Sequence, residues 1–317
     1  MKPSVKLSCL VIVTIMFTYF TIAQGRGPEW RRATIRKTNR LDVQGGSLQV
    51  DFAAGALDLP DKDILPWVQR AIQAVVVYYG KFPVARARIL IVPVAGESGI
   101  VQGTTWGDMD GFPGLSRIRL GEHTTVQELA EDWTMTHELV HMAFPSLPDD
   151  QHWMEEGLST YVEPVARVQA GELPAKRIWA DMVHDMPKGE PRSDDHGLDV
   201  THTWGRTYWG GAMFCLAADV AIRKQTENRK GLRDALRAIV AAGGTIDHDW
   251  PLPQALEVGD KATGTTVLMD LYRKWGQSAE SMDLDGLWRE LGIEKSDNGL
   301  KFIDAPLAKV RDSITAP

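Results

Sequence analysis

The chain has 317 residues, 44% hydrophobic and 24% charged. That is enough apolar mass for one large domain or two lobes around a cleft, and it excludes a disordered chain. A formal net charge of -7, with no dense Lys/Arg cluster after the N-terminal segment, excludes nucleic acid as a partner on electrostatic grounds.

The chain opens with MKPSVKLSCLVIVTIMFTYFTIAQ. Lys2 and Lys6 precede an apolar run from Leu7 to Ile22, and Ala23 follows as a small residue at which a signal peptidase can cut. This predicts an export signal over residues 1–23, a secreted or periplasmic protein, and no stable membrane association after cleavage. The alternative is an uncleaved anchor, although the run is slightly short of the roughly 20 residues of a membrane span. Cys9 lies before most of the apolar run, where a lipoprotein cysteine would follow it. Removal of the signal leaves only Cys215, so no internal disulfide is expected. Cys215 lies in the apolar stretch AMFCLAADVAI, which predicts burial rather than reactivity.

Residues 24–145 are expected to form an upper lobe. RRATIRK and SLQVDF alternate like strands between Gly-rich turns. DKDILPWVQRAIQAVVVYYG follows with Asp61 as N-cap and apolar residues at Ile64, Val68, Ile72, Val75 and Tyr79, the spacing of a helix lying on a sheet. RARILIVPV predicts an inner strand and SRIRLGEH an edge strand, with the Gly-rich GESGIVQGTTWGDMDGFPG as a loop between them. A helix is predicted from Thr124 or Thr125 along the apolar side Val126, Leu129, Trp133 and Val140, ending at Pro145. Residues 146–317 are expected to be a helical lobe. It begins with QHWMEEGLSTYVEPVARVQAG, which Pro164 kinks or ends, and continues through RTYWGGAMFCLAADVAIRKQ, RKGLRDALRAIVAAGG, TTVLMDLYRKWGQ and LDGLWRELG. Most of the 11 tryptophans fall at apolar helical positions and are assigned to the core.

Within the predicted helix at 124–145, MTHELVHMAF carries His137 and His141 one turn apart on one face, where both imidazoles can reach a single zinc ion at about 2.0–2.1 Å. Glu138 stands beside them, placed as the general base that takes the proton of an attacking water. A catalytic zinc takes three protein ligands, and Glu156, fifteen positions after His141 and beyond a Pro-containing loop, is the predicted third. Glu155 is its rival, but adjacent helical residues point about 100° apart, so only one faces the metal. His152, on the loop before the helix, is a further candidate ligand. Glu163 lies two turns along the face of Glu156, where it either fixes a ligand imidazole by a hydrogen bond or stands as a solvated surface carboxylate.

HELVH followed by W-M-E-E-G-L-S-T-Y-V-E resembles the gluzincin metallopeptidases, the group of aminopeptidase N, leukotriene hydrolase and the glycyl aminopeptidases. Trp153, Glu156, Gly157, Tyr161 and Glu163 fall in register with their second motif. The resemblance implies a zincin-like α+β fold, with a sheet over the HExxH helix and a helical lobe closing the cleft, and a zinc-dependent peptidase acting on a peptide or protein. It also implies that Tyr208, in Tyr208-Trp-Gly-Gly211, donates to the oxyanion, a role that otherwise falls to zinc alone. These enzymes carry Gly-x-Met-Glu-Asn on an edge strand, whose glutamate grips the substrate's amino group. Gly107-Asp-Met-Asp-Gly111 matches it in part, so the resemblance offers Asp110 as a substrate-binding group and aminopeptidase action, against the plain reading of an Asp/Gly turn. The spacing from His141 to Glu156 is shorter than in aminopeptidase N, and the chain has no room for that enzyme's large all-β domain. The competing reading is a catalytically silent zinc-binding or interaction domain of the same fold.

Overall fold

Alternation in the first strand-like stretches builds a hairpin, β1 (Ile35–Val43) and β2 (Gly46–Ala53), joined in antiparallel register. The computed structural model describes residues 33–296 and 299–317; the predicted signal over 1–23 lies outside them. The long amphipathic run that follows is α1 (Asp61–Tyr79), whose expected apolar residues Ile64, Val68, Ile72, Val75 and Tyr79 are all buried. Pro60 occupies the cap position predicted for Asp61, and Asp61 is paired instead with Arg36 and Lys37.

Three further strands complete the sheet: β3 (Arg86–Val94), β4 (Ile100–Met109) and β5 (Phe112–Gly121), in the order β1-β2-β3-β5-β4. The inner pairs β2–β3 and β3–β5 are parallel, and the outer pairs are antiparallel. β3 is an inner strand, as its branched residues predict. SRIRLGEH is not the edge. It lies largely in β5, between β3 and β4, and the edge strand β4 comes out of the Gly-rich segment expected to be a loop. Glycine content hid that strand, and the reason for the glycines is close packing. A Cβ on Gly103 would meet the Glu138 carboxylate at 2.5 Å, and one on Gly107 would overlap the Ile246 carbonyl.

The helix predicted from Thr124 is two helices. Thr125 caps α2 (Val126–Glu131) through a reciprocal bond with Glu128. The chain then breaks at Asp132, whose carboxylate accepts the Thr134 and Met135 N–H groups at the start of α3 (Thr134–His141) and the Trp67 indole N–H at 2.9 Å. The break turns Val126 and Trp133, placed on the apolar side by a continuous helix, out to solvent. From there the fold is mainly helical: α4 (His152–Gln169), α5 (Ala175–Asp185), α6 (Gly211–Gln225), α7 (Leu232–Ala241), α8 (Leu252–Thr263), α9 (Val267–Trp275), α10 (Leu284–Glu290) and α11 (Ala308–Thr315), with a small hairpin of β6 (Ile293–Ser296) and β7 (Gly299–Phe302). α4 continues through Pro164, which forfeits one backbone bond without ending the helix. Cys215 is buried in α6, and burial raises its thiol pKa, as expected of an inert core cysteine. Among the described residues no helix is long and apolar enough to cross a membrane.

α4 and α6 meet backbone to backbone. A Cβ on Gly157 would overlap Gly211, and one on Gly211 would overlap the Trp153 carbonyl and Gly157. Buried aromatic residues flank this crossing: Trp153 lies edge-on to Phe214 at 5.3 Å, and its indole donates to Asp199 at 2.7 Å. Gly211→Ala should therefore force the helices apart and cost about 1–3 kcal/mol, or roughly 2–4 °C of Tm per kcal/mol for a domain near this size. Thermal unfolding measures this, and an unchanged Tm would show that the two helices can separate freely.

Candidate metal centre

The break at Asp132 starts α3 so that His137 and His141 face α4, with their rings 4.9 Å apart. A short loop returns the chain into α4, and Glu156 meets the two imidazoles from that side. Its Oε2 lies 3.0 Å from His137 Nε2 and 3.6 Å from His141 Nε2. One donor atom from each of the three residues falls within 4.8 Å of the others, a cluster that could hold a metal ion. The two imidazoles and the carboxylate fit that role chemically. Both Nε2 atoms turn to one point, and His141 Nδ1 is engaged elsewhere, 3.2 Å from the Ser159 hydroxyl. His137 is 4% exposed and Glu156 9%, so a bound ion would be largely shielded from bulk water.

Burial alone would raise the pKa of Glu156, but the His141 charge and hydrogen bonds from His137, His141 and His152 hold its carboxylate far below the usual range. Burial alone would lower that of His141, and the Glu156 charge raises it instead. The centre is thus built around an ionised carboxylate. Glu155 points away from it, accepting the Leu147 N–H at 3.2 Å and pairing with His152 Nδ1 at 2.9 Å. His152 is outside the cluster as well. Its Nε2 lies 3.2 Å from Glu156 Oε1, so it braces the carboxylate from behind, and its bonds to Glu155 and then Glu156 push its pKa up to about 10.

Glu138 sits under the sheet edge, where the Thr105 hydroxyl on β4 donates to its Oε2 at 2.6 Å and Ser116 on β5 stands 2.8 Å behind Thr105. Tyr208 enters from the opposite side on a π-helical turn, Gly205–Gly210, directly before α6. Arg206 anchors that turn through a buried ion pair with Asp195 at 2.7 Å. The Tyr208 ring stacks on His137 at 6.3 Å. Burial, followed by the Glu156 and Glu138 carboxylates, raises its hydroxyl well above the ordinary value, so it remains a proton donor.

Two expected partners are elsewhere. Glu163 does not reach a ligand imidazole; it pairs with buried Arg167 at 2.8 Å, and burial pushes its pKa up to about 7. It is neither a solvated carboxylate nor a partner of the histidines, and His137 Nδ1 has no hydrogen-bond partner. Asp110 lies at the β4–β5 turn with φ +53°, its carboxylate 3.8 Å from Arg88. It is seven residues past Gly103, the β4 position that touches Glu138, hence about 20 Å along the strand. The edge segment beside Glu138 is Gly103–Thr105. Sequence reasoning missed Thr105, Ser116 and Ser159 because small hydroxyl residues carry no pattern; they become visible only when strand and helix are stacked.

The fold matches part of the fold of solved M1 zinc metallopeptidases. Among solved structures the chain is similar to an aminopeptidase N family protein from Idiomarina loihiensis, with 13% identity over 83% of this chain and 51% of that one and a TM-score of 0.59. It is also similar to an M1 zinc metallopeptidase from Deinococcus radiodurans, crystallised as a glutamate-to-alanine mutant bound to a Tyr-Ser-Ala substrate, with 14% identity over 78% and 52% of the two chains and a TM-score of 0.50. A two-domain M1 zinc metallopeptidase mutant bound to L-tryptophan gives 14% identity, 78% and 53% coverage and a TM-score of 0.50. The chain spans about half the length of these structures. No protein-family profile matches its sequence, and no curated protein does.

The two neighbouring glutamates differ in geometry enough to be separated by metal content. Glu156→Gln should lose most of the bound zinc, whereas Glu155→Gln should keep close to one ion per chain. Elemental analysis after dialysis reads this directly, and equal loss in both variants would contradict the assignment of the third donor.

Proposed function

We propose that the chain is a zinc-dependent peptidase of the gluzincin kind, hydrolysing peptide bonds in a peptide or protein outside the cytoplasm. The observation that carries the proposal is the convergence of His137, His141 and Glu156 with a restrained carboxylate, Glu138, on one side and a protonated phenol, Tyr208, on the other. Export rests on the charged and apolar pattern of residues 1–23 alone.

His137, His141 and Glu156 would hold zinc, which when bound polarises the scissile carbonyl and lowers the pKa of an attacking water toward about 7. Glu138 takes the proton from that water and returns it to the leaving amine, so one carboxylate serves as base and then as acid. Thr105 keeps that carboxylate aimed: a side chain donating to one oxygen leaves the other free to accept. Tyr208 donates to the oxygen that becomes negative as the carbonyl turns tetrahedral. A fixed donor in a site shielded from water is worth far more than the same group in solution. Ser159 holds the His141 ring in the tautomer that leaves Nε2 free.

Recognition of a substrate ammonium by Asp110 has no support, because that carboxylate faces Arg88 and lies about 20 Å along β4 from Glu138. The proposal is therefore a peptidase whose cut does not depend on Asp110, and Asp110→Asn should leave kcat/KM unchanged on free and N-acetylated peptides alike.

The chemistry is tested on the two groups that act without holding the metal. Glu138→Gln should retain zinc and abolish turnover. Tyr208→Phe should retain zinc and substrate affinity while lowering kcat by roughly a hundredfold or more, the scale of one lost oxyanion donor. Peptide cleavage assayed beside zinc content checks both, and a Tyr208→Phe protein with unchanged kcat would reduce that residue to a packing role.

A further inference from the structure

Two tryptophans next to the metal centre are half exposed, Trp133 at 53% and Trp204 at 47%, whereas Trp67, Trp153, Trp179, Trp275 and Trp288 are buried. Their positions follow one rule. Each stands four residues before a residue of the site, Trp133 before His137 and Trp204 before Tyr208, and so on the same helical face as that residue. Trp133 lies edge-on to His137 at 5.3 Å, and Trp204 stacks on Tyr208 at 5.8 Å. With Tyr208 stacked on His137, the four rings form one continuous aromatic row across the donor cluster, ending in solvent on both sides. Lys188 fixes the outer end, its ammonium 6.0 Å from the Trp204 ring and ion-paired to Asp185.

A scattered surface tryptophan needs no explanation, but two that flank a buried polar cluster keep apolar surface in water beside the groups proposed above as catalytic. Their flat faces offer area at little cost in side-chain entropy, and they carry no charge to select a polar partner. Val101, also exposed, adds apolar surface on β4 two residues before Gly103.

We propose that Trp133 and Trp204 are specificity-determining residues of the centre, forming an open apolar clamp with one jaw at each end of the row, each for a large aromatic or aliphatic side chain flanking the scissile bond. The substrate class is a peptide bearing such a residue there. The clamp rests on the peptidase reading for its substrate, but its binding can be measured without turnover.

The test uses zinc-loaded full-length protein carrying Glu138→Gln, titrated by calorimetry with two blocked hexapeptides that differ only in a central Phe or Gly. The Phe peptide should bind about tenfold or more tightly, the scale of one well-packed aromatic contact. Trp133→Ala or Trp204→Ala, whichever jaw the Phe occupies, should remove most of that difference by weakening the Phe peptide, with Gly-peptide affinity unchanged. Trp→Leu at either position should restore part of it, which separates lost apolar area from a disturbed fold. Equal affinity for the two peptides, or a difference that survives in both Ala variants, would overturn the clamp. Cleavage of the same peptides by protein with Glu138 intact is scored separately: no cleavage with the Phe preference present would sink the peptidase reading and leave the clamp standing.

Discussion

The contact between Gly157 and Gly211 is the constraint on which the site depends. The two helices bearing these glycines touch through backbone, with no side chain between them, and the functional groups sit immediately beside the contact: Glu156 one residue before the first glycine, Tyr208 three residues before the second. A helix pair held by bulkier side chains would stand further apart, within the usual 8–10 Å of packed helices. The tyrosine hydroxyl would then lose its approach to the carboxylate. Gly157 and Gly211 thus do geometric work that no catalytic residue could do, and Trp153, Phe214 and Asp199 lock the crossing with apolar contact and a buried hydrogen bond.

The electrostatics follow from that geometry. Three donors from two helices share a volume in which an unpaired Glu156 carboxylate would be expensive, since a buried charge without partners costs several kcal/mol. His137, His141 and His152 supply compensation, each with a ring nitrogen within 3.6 Å of that carboxylate. The same arrangement presents imidazole nitrogens and a carboxylate oxygen toward one point, a donor set that could hold a metal ion. Glu138 lies on α3 beneath the edge strand, held by Thr105, and Tyr208 comes from the turn before α6, so the groups proposed as base and oxyanion donor are positioned by different parts of the fold.

Much of this was legible in the sequence, and the failures have physical causes. Helical spacing placed His137, His141 and Glu138 on α3 and required that only one of Glu155 and Glu156 face the histidines; the structure shows it is Glu156. Tyr208 was singled out only through resemblance to the gluzincins, since a tyrosine in Tyr-Trp-Gly-Gly carries no chemistry by itself. The edge strand β4 was missed because glycine depresses every strand signal, yet Gly103 is there to let Glu138 approach. Trp133 was assigned to the core on the assumption of an unbroken helix, and Asp132 breaks it by capping α3. Glu163 kept its helical face but found Arg167 one turn on, a partner that spacing alone could not rank above a distant imidazole. Asp110 matched a motif by local order of residues, whereas its distance from the centre is set by the register of β4 on β5.

Anomalous diffraction at the zinc edge from crystals of the zinc-loaded protein tests the central claim most directly. The account predicts one strong peak per chain, at about 2.0–2.1 Å from both His137 Nε2 and His141 Nε2 and about 2.0–2.2 Å from a Glu156 oxygen, with the Tyr208 hydroxyl facing it and Glu155 outside the coordination sphere. A peak that engages Glu155 or His152 in place of Glu156, or one that lies away from the two histidines, would contradict it.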